Sequence, residues 1–233
     1  KIEVFREGVS EKIITPKNKL IAIASDTNLD IDDIIIVERE NYKELADLIE
    51  KENPDAIIVA TGSVYVQPPI PGIENALSVR AVDAHEVETG ENVVVCGGGI
   101  TGLEGALTLA KESKSVTVVD QLKREDFIME MPIFNKVDLL DQLENLNVAL
   151  IGGQRIQAVK DGIETVDTVT GEKHFYPADS VVNALGVKPD DSLGKALLAK
   201  YGSADVIMVG DCTARGGTYY RANHEAYYAA MRI

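Results

Sequence analysis

The chain has 233 residues, room for one large domain or two small ones. Apolar residues make up 45%, enough for a true core, while 38 acidic residues against 23 Lys and Arg leave a net charge of -15. So acidic a surface repels phosphate backbones and anionic lipid, which argues against nucleic-acid and membrane partners. No apolar run approaches the roughly 18 residues of a membrane span, and residues 1–6 lack a signal-peptide core. The cysteines, Cys96 and Cys212, form no CxxC pair, which argues against a disulfide-reductase centre and a zinc knuckle; a reducing, cytoplasmic setting is expected.

Residues 1–30 show only short β-like pieces, such as 19–24, with no chemistry attached. The run 34–37 predicts a short buried strand. Residues 42–52 predict an amphipathic helix with Leu45, Leu48 and Ile49 on its apolar face. Pro54 follows, and 56–60 predict a second strand ending at Thr61-Gly62. Uninterrupted apolar runs of this kind suit strands covered on both faces, as in parallel α/β sheets. Three prolines within 66–72 predict an extended connection.

A new unit begins near Gly90. A strand over 93–95, a glycine cluster, a helix over 103–111 and a strand over 116–119 closed by Asp120 fit within about thirty residues, the size of one βαβ unit. Residues 134–146 predict a helix with Val137, Leu140 and Leu143 apolar. Short strands are then expected over 148–151, 156–159 and 162–168, with a turn at Thr170-Gly171 and a strand over 180–184 ending in Leu185-Gly186. A strand over 205–209 leads into Gly210-Asp211, and 221–232 predict a terminal helix.

The glycine cluster Gly97-Gly98-Gly99-Ile100-Thr101-Gly102 reads GxGxxG. Alone the string is weak, but here a strand precedes it, a helix follows it, and an acidic residue ends the next strand. Gly97 permits the tight turn, Gly99 lets backbone approach a pyrophosphate, and Gly102 allows close helix packing. The helix N-terminus presents unpaired N–H groups to the phosphates, and Asp120, about twenty residues beyond the loop, can accept hydrogen bonds from ribose hydroxyls. A ligand-free turn is the bland alternative, and the full context disfavours it. Asp120 would repel a 2′-phosphate and so favours NAD(H). Lys123 and Arg124 either neutralise such a phosphate, if their loop folds back, or are solvated; NADP(H) stays open as the lesser choice.

Five strings occur in order: 55–63 (DAIIVATGS), the prolines with Gly72-Ile73, the glycine loop, Asn183-Ala184-Leu185-Gly186, and Val209-Gly210-Asp211-Cys212. Together, over roughly residues 50–233, they resemble the two-dinucleotide-binding flavoprotein reductases. More narrowly, they resemble the C-terminal FAD/NAD(P)-binding part of the 2-enoate reductase, 2,4-dienoyl-CoA reductase and NADH:flavin oxidoreductase (old yellow enzyme-like) group. The resemblance implies an α/β fold in which a Rossmann-like NAD(P)-binding domain, 91–186, is inserted in an FAD-binding-type domain, 1–90 and 187–233. It further implies hydride transfer from NADH to FAD, with no side chain needed as acid or base. Thr61-Gly62 and Gly186 match the turns where the chain crosses between domains, and Gly210-Asp211 match the contact to the flavin's ribityl chain. A catalytic barrel domain in a longer parent is implied as partner.

One departure stands out. The family's first GxGxxG has no counterpart in residues 1–33, whose glycine is Gly8, so the FAD-type domain is incomplete. Truncation, loss of FAD, or a site supplied by another segment would each account for this. A non-catalytic NAD(H)- or nucleotide-binding regulatory module is therefore the competing class.

His85, His174 and His224 have no metal or triad spacing; His174 is expected at a turn, and His224 at the start of the final helix. Cys96 is expected in the core, whereas Cys212 could approach a flavin. Tyr219, Tyr220, Tyr227 and Tyr228 are expected to pack. Glu104 supports the helix start or lies near the nicotinamide.

Overall fold

The computed structural model describes residues 2–6, 34–38, 45–203, 205–214 and 217–233. Strands β1 (Ile2–Arg6) and β2 (Ile34–Glu38) precede helix α1 (Leu45–Glu52), β3 (Ala56–Val59) and β4 (Ser63–Tyr65). Next come β5 (Leu77–Ser78), α2 (Val79–Asp83), β6 (Asn92–Cys96), α3 (Ile100–Lys111), β7 (Ser115–Val119) and α4 (Ile133–Asn145). Strands β8 (Ala149–Ile151), β9 (Gln154–Lys160), β10 (Gly162–Asp167), β11 (Lys173–Pro177) and β12 (Ser180–Asn183) follow. The order ends with β13 (Val187–Pro189), α5 (Ser192–Tyr201), β14 (Val206–Met208) and α6 (Tyr219–Ala230). The predicted pieces over 19–24 lie outside the described residues.

The chain forms two units, residues 1–64 with 187–233, and residues 65–186. In the first, a parallel sheet runs in the order β14-β3-β1-β2, with Val4 beside both Ile36 and Ile58. All four residues of β3 are buried because both faces are covered. Ile57 and Val59 pack with Leu45, Ile49 and Leu197, from α1 and α5, while Ile58 packs with Val209 and Ala229. Alternate strand residues thus serve opposite layers. Helix α5 carries Gly194 in its first turns, and a Cβ there would lie 2.5 Å from the Met208 side chain, so the glycine lets α5 press onto β14.

In the second unit five parallel strands run β5-β12-β6-β7-β8. Val93 and Val95 of β6 face a helical layer with Leu103, Leu109, Leu139 and Leu143. Val94 and Cys96 face the other way, onto Ile156, Val159 and Ile163 of an antiparallel sheet ordered β11-β10-β9. The unit therefore has three layers: helices, parallel sheet, antiparallel sheet. Residues 65–90, grouped from sequence with the flanking half, pack here instead. Strand β5 pairs with β12, and Val79 and Val82 of α2 join the helical core. His174 lies within β11 opposite Thr165, not in a turn, because the turn at Gly171 ends before it.

Candidate dinucleotide-binding site

Strand β6 delivers the chain into Gly97, whose φ of 119° few L-residues adopt and whose N–H donates to the Val119 carbonyl at 2.9 Å. Packing fixes three of the loop glycines. A Cβ would lie 2.4 Å from the Ala184 carbonyl oxygen on Gly97, 2.7 Å from the Phe127 ring on Gly98, and 2.1 Å from the Gly97 oxygen on Gly102. Gly99 differs: it is exposed, its φ is -74°, and a Cβ there would meet nothing within 4 Å. That open space lies at the N-cap of the twelve-residue α3, flanked by the exposed Ile100 and Thr101. The first N–H groups of a helix lack intrahelical acceptors and carry the positive end of its dipole.

Asp120 follows β7 and closes the site from the other side. Its carboxylate accepts the Gly98 N–H at 2.7 Å through one oxygen and the Leu122 N–H at 2.7 Å through the other. Its backbone is held as well: its N–H donates to Ile151 and its carbonyl accepts from Gln154. Lys123 and Arg124 are exposed on the same loop. Leu122 is tied by the Gly153 N–H at 2.8 Å, and a Cβ on Gly152 would strike the Arg124 nitrogen at 2.3 Å. Sequence reasoning passed over Phe127, Gly152 and Gln154. The signal for Gln154 was a polar residue in phase with the inward-facing Ile156 and Ala158.

The other predicted residues form separate turns. In the first unit the buried Thr61 donates its hydroxyl to the Asp190 carbonyl at 2.6 Å, and Gly62, with φ 73° and open space around it, accepts the Asp190 N–H. Gly210 is buried and donates its N–H to the Glu225 carboxylate at 2.6 Å; Asp211 pairs with Arg221 at 3.4 Å. Gly186, in the second unit, accepts the Val66 N–H at 2.9 Å, beside Asn183, whose side chain bridges Val66 and Leu185.

Several expectations are corrected. Cys212 is buried with its thiol directed at the Val59 and Val209 carbonyls, a small core residue and not one reaching toward a ligand. His224 sits well inside α6, exposed, stacked on Tyr220. Tyr219, Tyr220, Tyr227 and Tyr228 are exposed, because α6 meets its sheet through Ala229, which packs with Ile58 and Val209. Cys96 is a core residue as expected, and burial pushes its thiol up to about 12. Glu104 is exposed on α3, beside Phe134 and Asp138 of α4. Among the described residues no cluster of His, Cys, Asp and Glu could hold a metal, and no helix is long and apolar enough to cross a membrane.

The residues at 97–102 and 120 fit a dinucleotide: a cradle of glycines, three locked by packing and one open, under a carboxylate. The described residues of the flanking unit include no second cradle of this kind, and Asp211 is engaged by Arg221. They do not make a flavin site by themselves.

A glycine turn between parallel strand and helix, closed by a carboxylate at the end of the next strand, defines a dinucleotide-binding α/β protein. The chain belongs to the pyridine nucleotide-disulphide oxidoreductase family, whose model matches residues 14–226. It is 34% identical to bilirubin reductase of Mediterraneibacter gnavus (strain CC55_001C) over 187 residues, 79% of this chain and 28% of that protein. Likeness to an NADH oxidase of Thermoanaerobacter brockii is also 34%, over 71% of the chain and 26% of the relative. The chain thus spans little more than a quarter of either. A 2-naphthoyl-CoA reductase superposes with TM-score 0.71 and 31% identity, over 81% of this chain and 28% of that one. Thioredoxin reductase of T. acidophilum, at 15% identity, shares the fold across 99% of this chain and 96% of its own, with TM-score 0.70.

Proposed function

We propose that the chain is the pyridine-nucleotide module of a larger flavin-dependent reductase and that NADH is its electron donor. The observation that carries this is the open backbone at Gly99 over the α3 N-terminus, with the Asp120 carboxylate fixed beside it. The N–H groups of α3 would hold the pyrophosphate, and Gly97, Gly98 and Gly102 would keep the loop low enough for it to approach. A carboxylate has about four lone-pair sites, and two of Asp120's are used by Gly98 and Leu122, which leaves acceptors for ribose hydroxyls. Its charge opposes a 2′-phosphate, which favours NADH over NADPH. A nicotinamide dinucleotide supplies a hydride when bound; the chain's part is binding and orientation.

The names of the relatives support the wider setting. Bilirubin reductase, NADH oxidase and 2-naphthoyl-CoA reductase are all much longer than this chain. A reductase of a conjugated, enoate-type substrate, with a catalytic barrel elsewhere in the parent, is the setting we assign. Thr61, Gly62, Gly186, Gly210 and Asp211 would belong to the flavin side of that parent, and no flavin step is derived from them. The second reading, a nucleotide-binding module without flavin, is favoured by the ion pair that occupies Asp211.

The test is incubation with excess FAD, desalting and a visible spectrum, then NADH oxidation with an artificial acceptor. Retained flavin bands and turnover support the reductase module. Saturable NADH binding by a colourless, inactive protein favours the second reading, and absence of NADH binding overturns both.

A further inference from the structure

Two polar side chains lie deep between the parallel and antiparallel sheets of the second unit. Gln154 is 5% exposed and Thr165 1% exposed, on neighbouring strands β9 and β10. Buried polar groups are costly unless paired, and both of these have hydrogen-bond partners. The Thr165 hydroxyl donates to the Gln154 side-chain carbonyl at 2.8 Å, and the Gln154 amide donates to Asp167 at 3.0 Å. The second oxygen of Asp167 accepts the N–H groups of Val169 and Thr170. Replacing such a pair by apolar groups of similar shape is close to neutral for stability, so core packing alone does not call for it.

Its placement gives the reason. The Gln154 N–H donates to the Asp120 carbonyl at 2.9 Å, and the adjoining Gly153 N–H donates to the Leu122 carbonyl at 2.8 Å. Thr168, across the hairpin, donates its N–H to the Gly153 carbonyl at 2.8 Å. Asp120 in turn holds the Gly98 N–H. Joined through the main chain at Gln154 and at Asp120, these hydrogen bonds link the buried pair, by way of the segment 120–122, to the glycine loop.

We propose that Gln154 is a positioning residue for pyridine-nucleotide recognition, fixing the β9–β10 hairpin base that sets Asp120 and its loop against the ribose end of the ligand. The proposal rests on the reading of residues 97–102 and 120 as an NADH site. It gives the antiparallel sheet a part in cofactor choice, although none of its side chains need touch the cofactor. With Gln154 replaced by an apolar chain, the main-chain donors at 153 and 154 remain but lose the side-chain anchor to Thr165 and Asp167 that fixes them. The segment 120–122 is then held less firmly, and Asp120 discriminates less well against a 2′-phosphate.

The experiment uses the whole chain with Gln154→Met, Thr165→Val and the conservative Thr165→Ser. Dissociation constants for NADH and NADPH are measured by fluorescence, along with Tm and ligand-free amide exchange at Gly98 and Leu122. Gln154→Met is expected to weaken NADH about tenfold, equivalent to ~1.4 kcal/mol, with a smaller change for NADPH, so that the preference narrows. Exchange at both amides should quicken, Thr165→Val should act likewise, and Thr165→Ser should stay near wild type. A lower Tm with an unchanged NADH-to-NADPH ratio overturns the proposal and leaves a structural pair only. If Gln154→Met fails to fold, the ratio in Thr165→Val decides. Wild-type protein that binds neither nucleotide overturns the NADH reading itself, a different result from intact binding that the variants do not disturb.

Discussion

The Asp120 carboxylate accepts the Gly98 N–H at 2.7 Å, which joins the end of β7 to the middle of the glycine loop. A hydrogen bond to a charged acceptor is stronger than one between neutral groups, so this contact stiffens a turn that would otherwise rely on glycine alone. The residue that would meet the ribose therefore also shapes the loop that would meet the phosphates. Binding and loop shape cannot be separated at this position.

Asp120→Ala should weaken NADH by at least roughly tenfold, because two N–H groups lose a charged acceptor worth about 1.5–3 kcal/mol each. Asp120→Asn retains one acceptor oxygen and should fall between. Neither variant should gain tight NADPH binding, since the loop is loosened as the repulsive charge is removed. Fluorescence titration with both nucleotides decides this, and an Asp120→Asn protein that binds NADPH as tightly as wild type binds NADH would refute it.

Two glycines of one motif should behave oppositely. Gly102→Ala forces a Cβ to within 2.1 Å of the Gly97 carbonyl and should destabilise by roughly 1–3 kcal/mol through overpacking. Gly99→Ala meets open space at an ordinary φ, so stability should stay within about 0.5 kcal/mol while NADH affinity falls. Thermal unfolding beside ligand titration separates the two. Equal loss of stability in both variants would contradict the packing argument.

Much of this site was legible in the sequence because local rules and tertiary demands agree there. The apolar run 93–95 and the glycines after it specify strand, turn and helix from adjacent residues. Helix α3 nevertheless begins at Ile100, ahead of the predicted 103, because Gly102 is a helical residue held against Gly97. Helix α5 lies in a stretch, 187–204, where no element is predicted from sequence, and its Gly194 is accounted for by a close contact with Met208, distant in sequence. The four tyrosines of α6 are expected to pack, yet all four are exposed and Ala229 makes the contact with Ile58 and Val209. The tie between Gln154 and Asp120 crosses two sheets, and no short-range pattern encodes it.

Alkaline pH should test the core at Cys96. Burial pushes its thiol from an ordinary 9.0 up to about 12, so the folded protein keeps a proton that the unfolded chain releases. The contribution is intact below pH 9 and is lost as pH rises toward 12, with a slope of at most ~1.4 kcal/mol per pH unit. Tyr65 and Tyr176, also raised by burial, add to the fall above about pH 10. Denaturant unfolding at pH 7.5 and 10 should show a smaller pH difference in Cys96→Ala than in wild type. Equal differences would mean that the thiol ionises as freely in the fold as outside it.

Among the described residues, helix α6 is fastened at its cap, at Glu225 and at its C-terminal alanines, as well as through the Arg221–Asp211 pair, and the first three should show in its mutational response. Thr218 caps it by accepting the Arg221 N–H at 3.2 Å, Glu225 accepts the buried Gly210 N–H at 2.6 Å, and of the buried Ala229 and Ala230 the first packs on Ile58 and Val209. Glu225→Ala strands a buried donor and should cost about 1–3 kcal/mol; Glu225→Gln keeps an acceptor and should cost less. Tyr219→Ser and Tyr220→Ser, at residues 86% and 69% exposed, should shift stability by no more than about 0.5 kcal/mol. Ala229→Leu, by contrast, inserts volume against Ile58 and Val209 and should destabilise by roughly 1–3 kcal/mol. Midpoints of thermal unfolding rank the five variants. If the tyrosine variants lost as much stability as Glu225→Ala, α6 would be held by its aromatic face, and the arrangement of Gly210, Glu225 and the two alanines would not be what secures it.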